Sequence, residues 1–224
     1  MNKHLERWDR RYASSERVWS AGPNETVASE VADLPPGRAL DLGCGEGRHA
    51  IWLASQGWQV TAIDFSSIGI DRARILAKKS GVEVEWLVAD VASYCPPAGG
   101  FDLVVISFLH TGAAERSKWL AAAVKALRPG GTLLYVGHDR SKVDHGPGRS
   151  ENDHGHDGRP KDPATFPAAQ DIARSLPGFI IEKSQLVERN LGAETGHREA
   201  GAPPAAAFDT LVRARKPETG HSPA

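Results

Sequence analysis

The sequence has few cysteines, almost no net charge and no long apolar run, and each shortage excludes a class of protein. Two cysteines in 224 residues, Cys44 and Cys95, cannot build a disulfide framework or a cysteine-based zinc site and are typical of a reducing compartment. A formal net charge of -1 leaves no overall basic field to attract nucleic acid or anionic lipid. The N-terminal stretch is charged and no segment is apolar enough to span a bilayer, so we expect a cytoplasmic protein without a membrane partner.

What the sequence does contain is a regular alternation of short apolar runs and helix-like segments between residues 38 and 138. The predicted strands are RALDLG, WQVTAID, VEVEWLVAD, FDLVVISFL and TLLYVGHD. The predicted helices between them are RHAIWLASQG, SIGIDRARILAKKSG and ERSKWLAAAVKALRPGG, the last ending at its Pro-Gly-Gly. Strand and helix at this rhythm predict an α/β fold with a parallel sheet and right-handed crossovers.

The rest of the chain breaks this rhythm. Residues 139–163 are polar and rich in Gly, Asp and His, which is typical of a flexible loop, a lid or a binding loop. A predicted helix, FPAAQDIARSLPG, is followed by two strands, FIIEKSQLVERN and AAAFDTLVRARK, which should pair antiparallel because no helix lies between them. We therefore predict one domain over residues 1–216, with residues 1–35 outside the alternating core and a disordered tail at 217–224.

Three glycines fall within five positions of ALDLGCGEGRHAIWLA, at Gly43, Gly45 and Gly47. Glycine weakens regular structure, so a cluster this dense indicates that something must come close to the backbone. The spacing differs from the dinucleotide pattern G-x-G-x-x-G, because the third glycine comes one residue early. Glu46 would also place a negative charge where a pyrophosphate sits, so the loop does not favour NAD.

A carboxylate stands at the end of each of the first three predicted strands: Asp41, Asp64 and Asp90. Ligands of open parallel sheets bind at this edge, and helix capping explains three such residues poorly. Asp64 is placed to accept both hydroxyls of a ribose, Asp90 the amine of an adenine, and Asp41 an ammonium group, directly or through water. A ligand with adenine, ribose and a cationic amino-acid end is S-adenosylmethionine rather than NAD.

These stretches resemble the class I S-adenosylmethionine-dependent methyltransferases. The resemblance is carried by LDLGCGEGR, VTAIDFS, WLVADV, FDLVVISF and LRPGGTLLYVGHD, within residues 39–139. Within that superfamily the chain is most similar to the tellurite-resistance and thiopurine-methyltransferase-like group, through WDRRY, GEGRHAIWLA, FPAAQDIARSLPGF and FDTLVRARK. The resemblance implies a Rossmann-like fold, with a seven-stranded, mostly parallel sheet, one antiparallel strand and helices on both faces.

The resemblance also implies where the cofactor would lie. The glycine loop would face the methionine and ribose portion, and Phe65 would lie on one face of the adenine. Asp90 would take the adenine amine, the backbone N–H of Val91 a ring nitrogen, and the backbone of Ser107 would approach the methionine end. The implied cofactor-binding residues are Asp41, Gly43, Cys44, Gly45, Gly47, Asp64, Phe65, Asp90, Val91 and Ser107.

The acceptor side offers a second set of candidates, namely His110, His138, His197 and Arg198. An Arg and a His in the turn before the last strand could hold an anionic acceptor, and a solvated turn is the alternative. His138 with Asp139 is either a base and the group that orients it or a hydrogen-bonded pair at a strand end. Since the resembling group covers its cofactor with the N-terminal segment, residues 1–35 are expected to do so, through Trp8, Tyr12 and Trp19; packing on the sheet edge is the alternative.

The predicted function is transfer of a methyl group from S-adenosylmethionine, by in-line displacement, to a small-molecule acceptor such as a thiol or a selenium or tellurium species. The protein then has mainly to align the nucleophile and exclude water, and no metal is needed. His145, His154 and His156 in the polar loop allow a metal site, although simple flexibility is the alternative. Nothing demands an obligate oligomer, so a monomer or weak dimer is expected.

Two alternatives remain from the sequence: a methyltransferase acting on nucleic acid or protein, and a non-catalytic protein that binds S-adenosylmethionine. Against the first, SFLH stands where enzymes that methylate base amines carry Asn/Asp-Pro-Pro-Tyr/Phe, and basic flanks are missing. Against the second, the cofactor motifs are complete. Glu46 and Arg48, inside the glycine-rich stretch, receive no firm role.

Overall fold

Seven strands and six helices are described in a computed structural model of the chain, which covers residues 3–14, 22–139, 165–190 and 206–218. The helices are α1 (Lys3–Ser14), α2 (Glu25–Val31), α3 (Arg48–Ser55), α4 (Ser67–Ser80), α5 (Ala113–Ala126) and α6 (Ala169–Arg174). The strands are β1 (Arg38–Leu42), β2 (Gln59–Asp64), β3 (Glu85–Val88), β4 (Phe101–Ser107), β5 (Leu127–His138), β6 (Ile180–Asn190) and β7 (Ala206–Arg215).

The strands form one sheet in the order β3-β2-β1-β4-β5-β7-β6. The first five strands pair parallel, and β7 runs antiparallel between β5 and β6. This confirms the predicted fold, with seven strands of which one is reversed. The strand order changes direction between β1 and β4, and in open sheets of this kind the crevice beyond the carboxyl ends of those two strands is where ligands bind.

Both faces of the sheet are buried, which explains the unbroken apolar runs of the central strands. One face packs its core around Trp119 of α5 and Tyr135 of β5, both with no exposed surface. The other face packs under α2, α3 and α4, around Leu53, Trp58 and Ile70. The sheet is therefore a rigid platform whose carboxyl edge presents the loops that follow β1, β2 and β4.

The boundary between α5 and β5 differs from its prediction. The pattern extends the helix ERSKWLAAAVKALRPGG to Pro129-Gly130-Gly131, whereas α5 ends at Ala126 and β5 begins at Leu127. Leu127 is fully buried and pairs with Phe101, with a register shift before the next pair, Leu103 and Thr132. An apolar residue satisfies helical and strand periodicity alike, so the pattern could not separate the two elements.

Several predicted features lie outside the described residues: Trp19, His197, Arg198, the polar loop beyond Asp139 with its histidines, and the tail from residue 219. In the described ranges, no helix combines the length and apolar character that crossing a membrane requires.

Candidate functional site

The glycine loop between β1 and α3 is held in a conformation that favours glycine. Gly43, Gly45 and Gly47 have φ values of 76°, 56° and 78°, in the left-handed region where side chains are strained. The backbone N–H groups of Gly43 and Cys44 both donate to the Ile63 carbonyl, at 2.8 and 2.9 Å. A β-carbon on Gly43 would meet the Leu109 side chain at 3.0 Å. The loop thus curls over the ends of β1 and β2 and leaves its backbone uncovered by side chains of its own.

Asp64, at the end of β2, fastens this loop. One carboxylate oxygen accepts the Gly45 N–H at 2.9 Å and the other accepts the Ser66 N–H at 2.9 Å. The side chain is almost fully buried, and burial raises its pKa above the usual range. The sequence predicted a ribose ligand for Asp64; the structure adds that the same carboxylate fixes the loop it would share with that ligand.

Asp41, near the end of β1, is in the opposite situation. It is fully buried, and neither carboxylate oxygen accepts a hydrogen bond from the described residues. Burial, followed by the charge of Asp64, raises the pKa of Asp41 to about 7. A buried carboxylate that accepts no hydrogen bond is costly, and the cost is offset when the carboxylate takes up a proton or meets a cation.

The predicted adenine side consists of Phe65, Asp90 and Val91. Asp90 is exposed and its Oδ1 accepts the Ala92 N–H at 2.9 Å, while Val91 is buried. Phe65 is stacked with the ring of His4 from α1, with centroids 5.5 Å apart and planes 11° apart. Sequence analysis missed His4, because a lone polar residue on a charged helix carries no pattern that separates it from its neighbours.

Helix α1 lies against α4 beside this side of the site. Tyr12 is buried and its ring packs on the Cα of Gly69, where a β-carbon would come within 3.1 Å. Trp8 stacks on Tyr12 with 5.6 Å between centroids. The Ser66 hydroxyl donates to Asp9 at 2.5 Å. Of the three aromatic residues predicted for a cover, Trp8 and Tyr12 therefore lie on a helix docked next to the β2 end.

A buried polar chain that sequence analysis missed runs beneath the glycine loop. The backbone N–H of Asn24, the N-cap of α2, donates to His49 Nε2 at 3.2 Å. His49 Nδ1 lies 2.8 Å from the Ser107 hydroxyl at the end of β4. Burial, followed by the charge of Arg48, holds the pKa of His49 well below its usual range. His49 is therefore neutral, and it connects α2, α3 and β4.

The two residues left unassigned in the glycine-rich stretch have separate partners. Glu46 is buried and forms an ion pair with Arg72 of α4, at 2.8 Å. Arg48 places its guanidinium 5.4 Å from the ring centroid of Phe108. Phe108 itself has φ 55°, a strained backbone of the kind found at functional sites.

Four rings gather beyond β4 and β5. His110 and His138 stack with centroids 5.0 Å apart and planes 9° apart, and Phe108 and Phe166 flank them at 4.8 and 4.9 Å. The His138 backbone N–H donates to His110 Nε2 at 3.3 Å. The structure thus brings together two of the predicted acceptor-side histidines, in a wall of rings at the carboxyl edge of the sheet.

His138 has a carboxylate partner that the sequence did not predict, Asp209 of β7. His138 Nδ1 and Asp209 Oδ1 are 3.2 Å apart, and Asp209 is fully buried. The two residues face each other across the β5–β7 ladder. Asp139 lies 3.5 Å from the Thr210 hydroxyl, whose nearer acceptor is the Pro167 carbonyl at 3.1 Å. The predicted pairing of His138 with Asp139 stays a prediction.

Two other features carry no chemistry of this kind. An open cavity of about 820 Å³ lies at the opposite end of the strands, between the starts of β1, β2 and β3 and the end of α4. Within the described part of the chain, no three His, Cys, Asp or Glu side chains are grouped to hold a metal ion.

Comparison with known proteins bears on this geometry. Residues 39–131 match the methyltransferase domain family. A ubiquinone biosynthesis O-methyltransferase of Xanthomonas campestris pv. campestris is 34% identical over 148 residues, which are 59% of this chain and 61% of that protein. The chain thus spans less than two thirds of the length of that relative.

Solved structures share the fold over nearly the whole chain. The N-methyltransferase NodS of Bradyrhizobium japonicum, in complex with S-adenosyl-L-homocysteine, superposes with a TM-score of 0.66 at 18% identity and covers 97% of this chain and 100% of its own. TehB of Haemophilus influenzae has a TM-score of 0.64 at 16% identity and covers 96% of this chain and 67% of its own. At these identities the likeness is one of fold.

Proposed function

Since residues 39–131 form a methyltransferase domain, on the class I sheet that the motifs predicted, we propose that this protein transfers a methyl group from S-adenosylmethionine to a small-molecule acceptor. The name of the X. campestris relative, an O-methyltransferase of ubiquinone biosynthesis, supports an acceptor of that size. The near-zero net charge argues against a nucleic-acid substrate.

The observation that carries the proposal is the unpartnered carboxylate of Asp41 beneath a loop of glycines. S-adenosylmethionine brings an ammonium group, which would supply the missing donors. NAD brings a pyrophosphate, which the buried carboxylates of Asp41, Glu46 and Asp64 would repel. The residues present therefore fit the sulfonium cofactor and oppose the dinucleotide.

The residues that would hold the cofactor are those the sequence proposed, with additions from the structure. Asp41 and Ser107 would face the amino-acid end, and the backbone of Gly43 and Gly45 the sulfur and ribose. Asp64 would accept the ribose hydroxyls with the lone pairs that its two backbone donors leave unused. Phe65, Asp90 and Val91 would take the adenine, with His4 and Trp8 of α1 closing over it.

S-adenosylmethionine supplies the methyl group on a sulfonium, so a neutral thioether leaves and no acid is required. The chain's own residues have to bring an acceptor into line, exclude water and, for a protonated acceptor, remove a proton. The ring wall of Phe108, His110, His138 and Phe166 provides an aromatic surface for this. We assign the role of base to His138, with Asp209 holding its Nδ1 proton.

A thiol is the acceptor we favour, and a selenium or tellurium species is the next candidate. Soft nucleophiles of this kind suit a wall of aromatic rings, and a thiol near neutral pH gains from a base such as His138. His197 and Arg198 remain candidates for binding an anionic acceptor.

Calorimetry tests the cofactor half of the proposal. S-adenosylmethionine and S-adenosylhomocysteine should bind and NAD should not; tight binding of NAD alone would overturn it. A methyl-transfer screen over small thiols, halides, selenite and tellurite, with transfer RNA and a histone peptide mixture as macromolecular acceptors, tests the other half. Turnover confined to the macromolecules would replace the small-molecule acceptor.

A further inference from the structure

The direction of each hydrogen bond along Asn24, His49 and Ser107 follows from the geometry. The Asn24 backbone N–H can only donate, so His49 Nε2 accepts and carries no proton. A neutral imidazole then holds its single proton on Nδ1, which donates to the Ser107 oxygen 2.8 Å away. The tautomer of His49 is fixed by the N-terminus of α2.

This fixes what the Ser107 hydroxyl can do. Its oxygen is occupied by the His49 proton, so its own O–H turns away from His49, and no acceptor among the described residues takes it. Ser107 retains 8% of its surface exposed, at the carboxyl end of β4. A hydroxyl whose oxygen is held by a buried partner, on a residue at the end of its strand, is a preorganised hydrogen-bond donor.

Asp41, on the neighbouring strand β1, supplies hydrogen-bond acceptors where Ser107 supplies a donor. It pairs with Val105 in the β1–β4 ladder, and Ser107 is two residues further along β4. Paired residues and those two apart point to one face of a sheet, so the Asp41 carboxylate and the Ser107 hydroxyl share a face. Within the described residues, two carboxylate oxygens without a hydrogen-bond donor and a serine hydroxyl therefore lie on the same face of neighbouring strands.

We propose that His49 is a positioning residue, which aims the Ser107 hydroxyl at the carboxylate of an α-amino acid group whose ammonium meets Asp41. The inference rests on the proposed cofactor and names how its amino-acid end is distinguished. It also ties α2 to the site, because the Asn24 N–H that sets the tautomer belongs to the N-cap of that helix.

A cofactor without the amino-acid end is the sharpest probe. S-adenosylhomocysteine carries that end, whereas 5′-methylthioadenosine keeps the adenine, ribose and sulfur and lacks it. Ser107→Ala should bind S-adenosylhomocysteine about tenfold more weakly and 5′-methylthioadenosine unchanged, because one hydrogen bond to a charged group is lost. Loss of both affinities equally would show a general distortion and overturn the assignment.

His49→Leu and His49→Asn test the positioning role. His49→Leu should weaken binding of S-adenosylhomocysteine by about the same factor as Ser107→Ala. The double variant should bind no more weakly than either single variant, since the two substitutions remove the same interaction. His49→Asn, whose amide N–H can replace Nδ1–H, should recover most of the affinity. Additive losses, or His49→Leu binding like the wild type, would overturn the proposal. Melting temperatures confirm that each variant is folded.

The two levels of inference fail differently. If the wild type binds neither S-adenosylhomocysteine nor 5′-methylthioadenosine, the proposed function fails. If the wild type prefers S-adenosylhomocysteine and the Ser107 and His49 variants keep that preference, only the present inference fails.

Discussion

Asp41 and Asp64 end adjacent parallel strands, and only one of these buried carboxylates is hydrogen-bonded. Asp64 has a backbone donor on each oxygen, whereas Asp41 has none in the described residues. The charge of Asp64 adds to burial in raising the pKa of Asp41. The fold thus holds at the site a buried carboxylate whose charged form is unfavourable, and this lowers the stability of the protein when Asp41 is ionised.

Asp41→Asn should stabilise the protein without ligand at pH 8 and abolish S-adenosylhomocysteine binding. The pKa of Asp41 is about 7 in the fold against 3.8 for an ordinary Asp, so the folded state holds the extra proton between those values. Stability of the wild type is therefore lost as pH rises from about 4 to about 7. Thermal melts should show a gain of about 2–6 °C for the variant at pH 8.

At pH 4 the gain should be close to zero, because the carboxyl is then protonated in the fold. An equal gain at both pH values would indicate that the charge of Asp41 is not the cause. The same titration predicts proton release when the ligand's ammonium lowers the pKa of Asp41. Calorimetry of wild-type binding at pH 7 in phosphate and in Tris should give different apparent enthalpies; equal enthalpies would show that no proton is released.

Asp64→Ala should weaken binding of S-adenosylhomocysteine by about 1–3 kcal/mol, because it removes ribose contacts and unfastens Gly45. Asp71→Ala is the matched control, since Asp71 is an exposed carboxylate paired with Arg74 on α4. Calorimetry measures the affinity of both variants for S-adenosylhomocysteine. If Asp64→Ala binds as tightly as Asp71→Ala, the ribose lies elsewhere.

Asp209→Asn should lower the rate of methyl transfer to a thiol by on the order of 10- to 100-fold at neutral pH, because His138 loses the group that holds its Nδ1 proton. The rate should recover as pH approaches the pKa of the free thiol, since thiolate then needs no base. Single-turnover rates across pH 6–9 measure this.

Asp139→Asn is the comparison variant for Asp209→Asn, because Asp139 is the carboxylate next to His138 in sequence and lies near the Thr210 hydroxyl. It should stay within about threefold of the wild type. If Asp139→Asn carries the large loss and Asp209→Asn does not, the sequence-based pairing was right about function after all. If neither variant changes the rate of methyl transfer to an acceptor, that acceptor binds as an anion and needs no base.

Gly47→Ala should cost more stability than Gly81→Ala. Both positions have positive φ, 78° and 68°, so each alanine is strained by about 1 kcal/mol. A β-carbon at Gly47 would also run into the Trp86 ring, whereas nothing lies within 4 Å at Gly81. In denaturant unfolding, the free energy of unfolding of Gly47→Ala should be lower than that of Gly81→Ala by about 1–3 kcal/mol. Equal losses of stability in the two variants would mean that Trp86 moves aside freely.

The sheet was predictable because its determinants are local. β4 and β5 contain unbroken apolar runs, at residues 103–106 and 133–136, and the carboxyl ends of the first three strands carry glycine or a carboxylate. The residues expected at that edge, such as Asp41, Gly43, Asp64 and Ser107, lie there. What failed locally was the α5–β5 boundary, where Leu127 fits both periodicities.

The side-chain pairs of the candidate site could not be predicted, because they depend on contacts between distant parts of the chain. His138 and Asp209 are 71 residues apart, and Ser107 and His49 are 58 apart. No single-sequence pattern links such pairs, because their partnership comes from strand register and helix docking rather than from spacing. Asn24 acts through its backbone N–H, which any residue other than proline would supply. The identity of this residue therefore predicts only a helix cap and not its contact with His49.

The position of β7 orders the assembly of the site during synthesis. β6 is made before β7, yet its place in the sheet is outside it, so β6 has no strand to pair with until β7 has left the ribosome. Asp209 arrives on that same last strand, whereas Asp41, Asp64 and Ser107 all belong to the first half of the chain. A nascent chain can therefore order the residues proposed for the cofactor before His138 and Asp209 meet, and docking of β6 and β7 completes both the sheet and that pair.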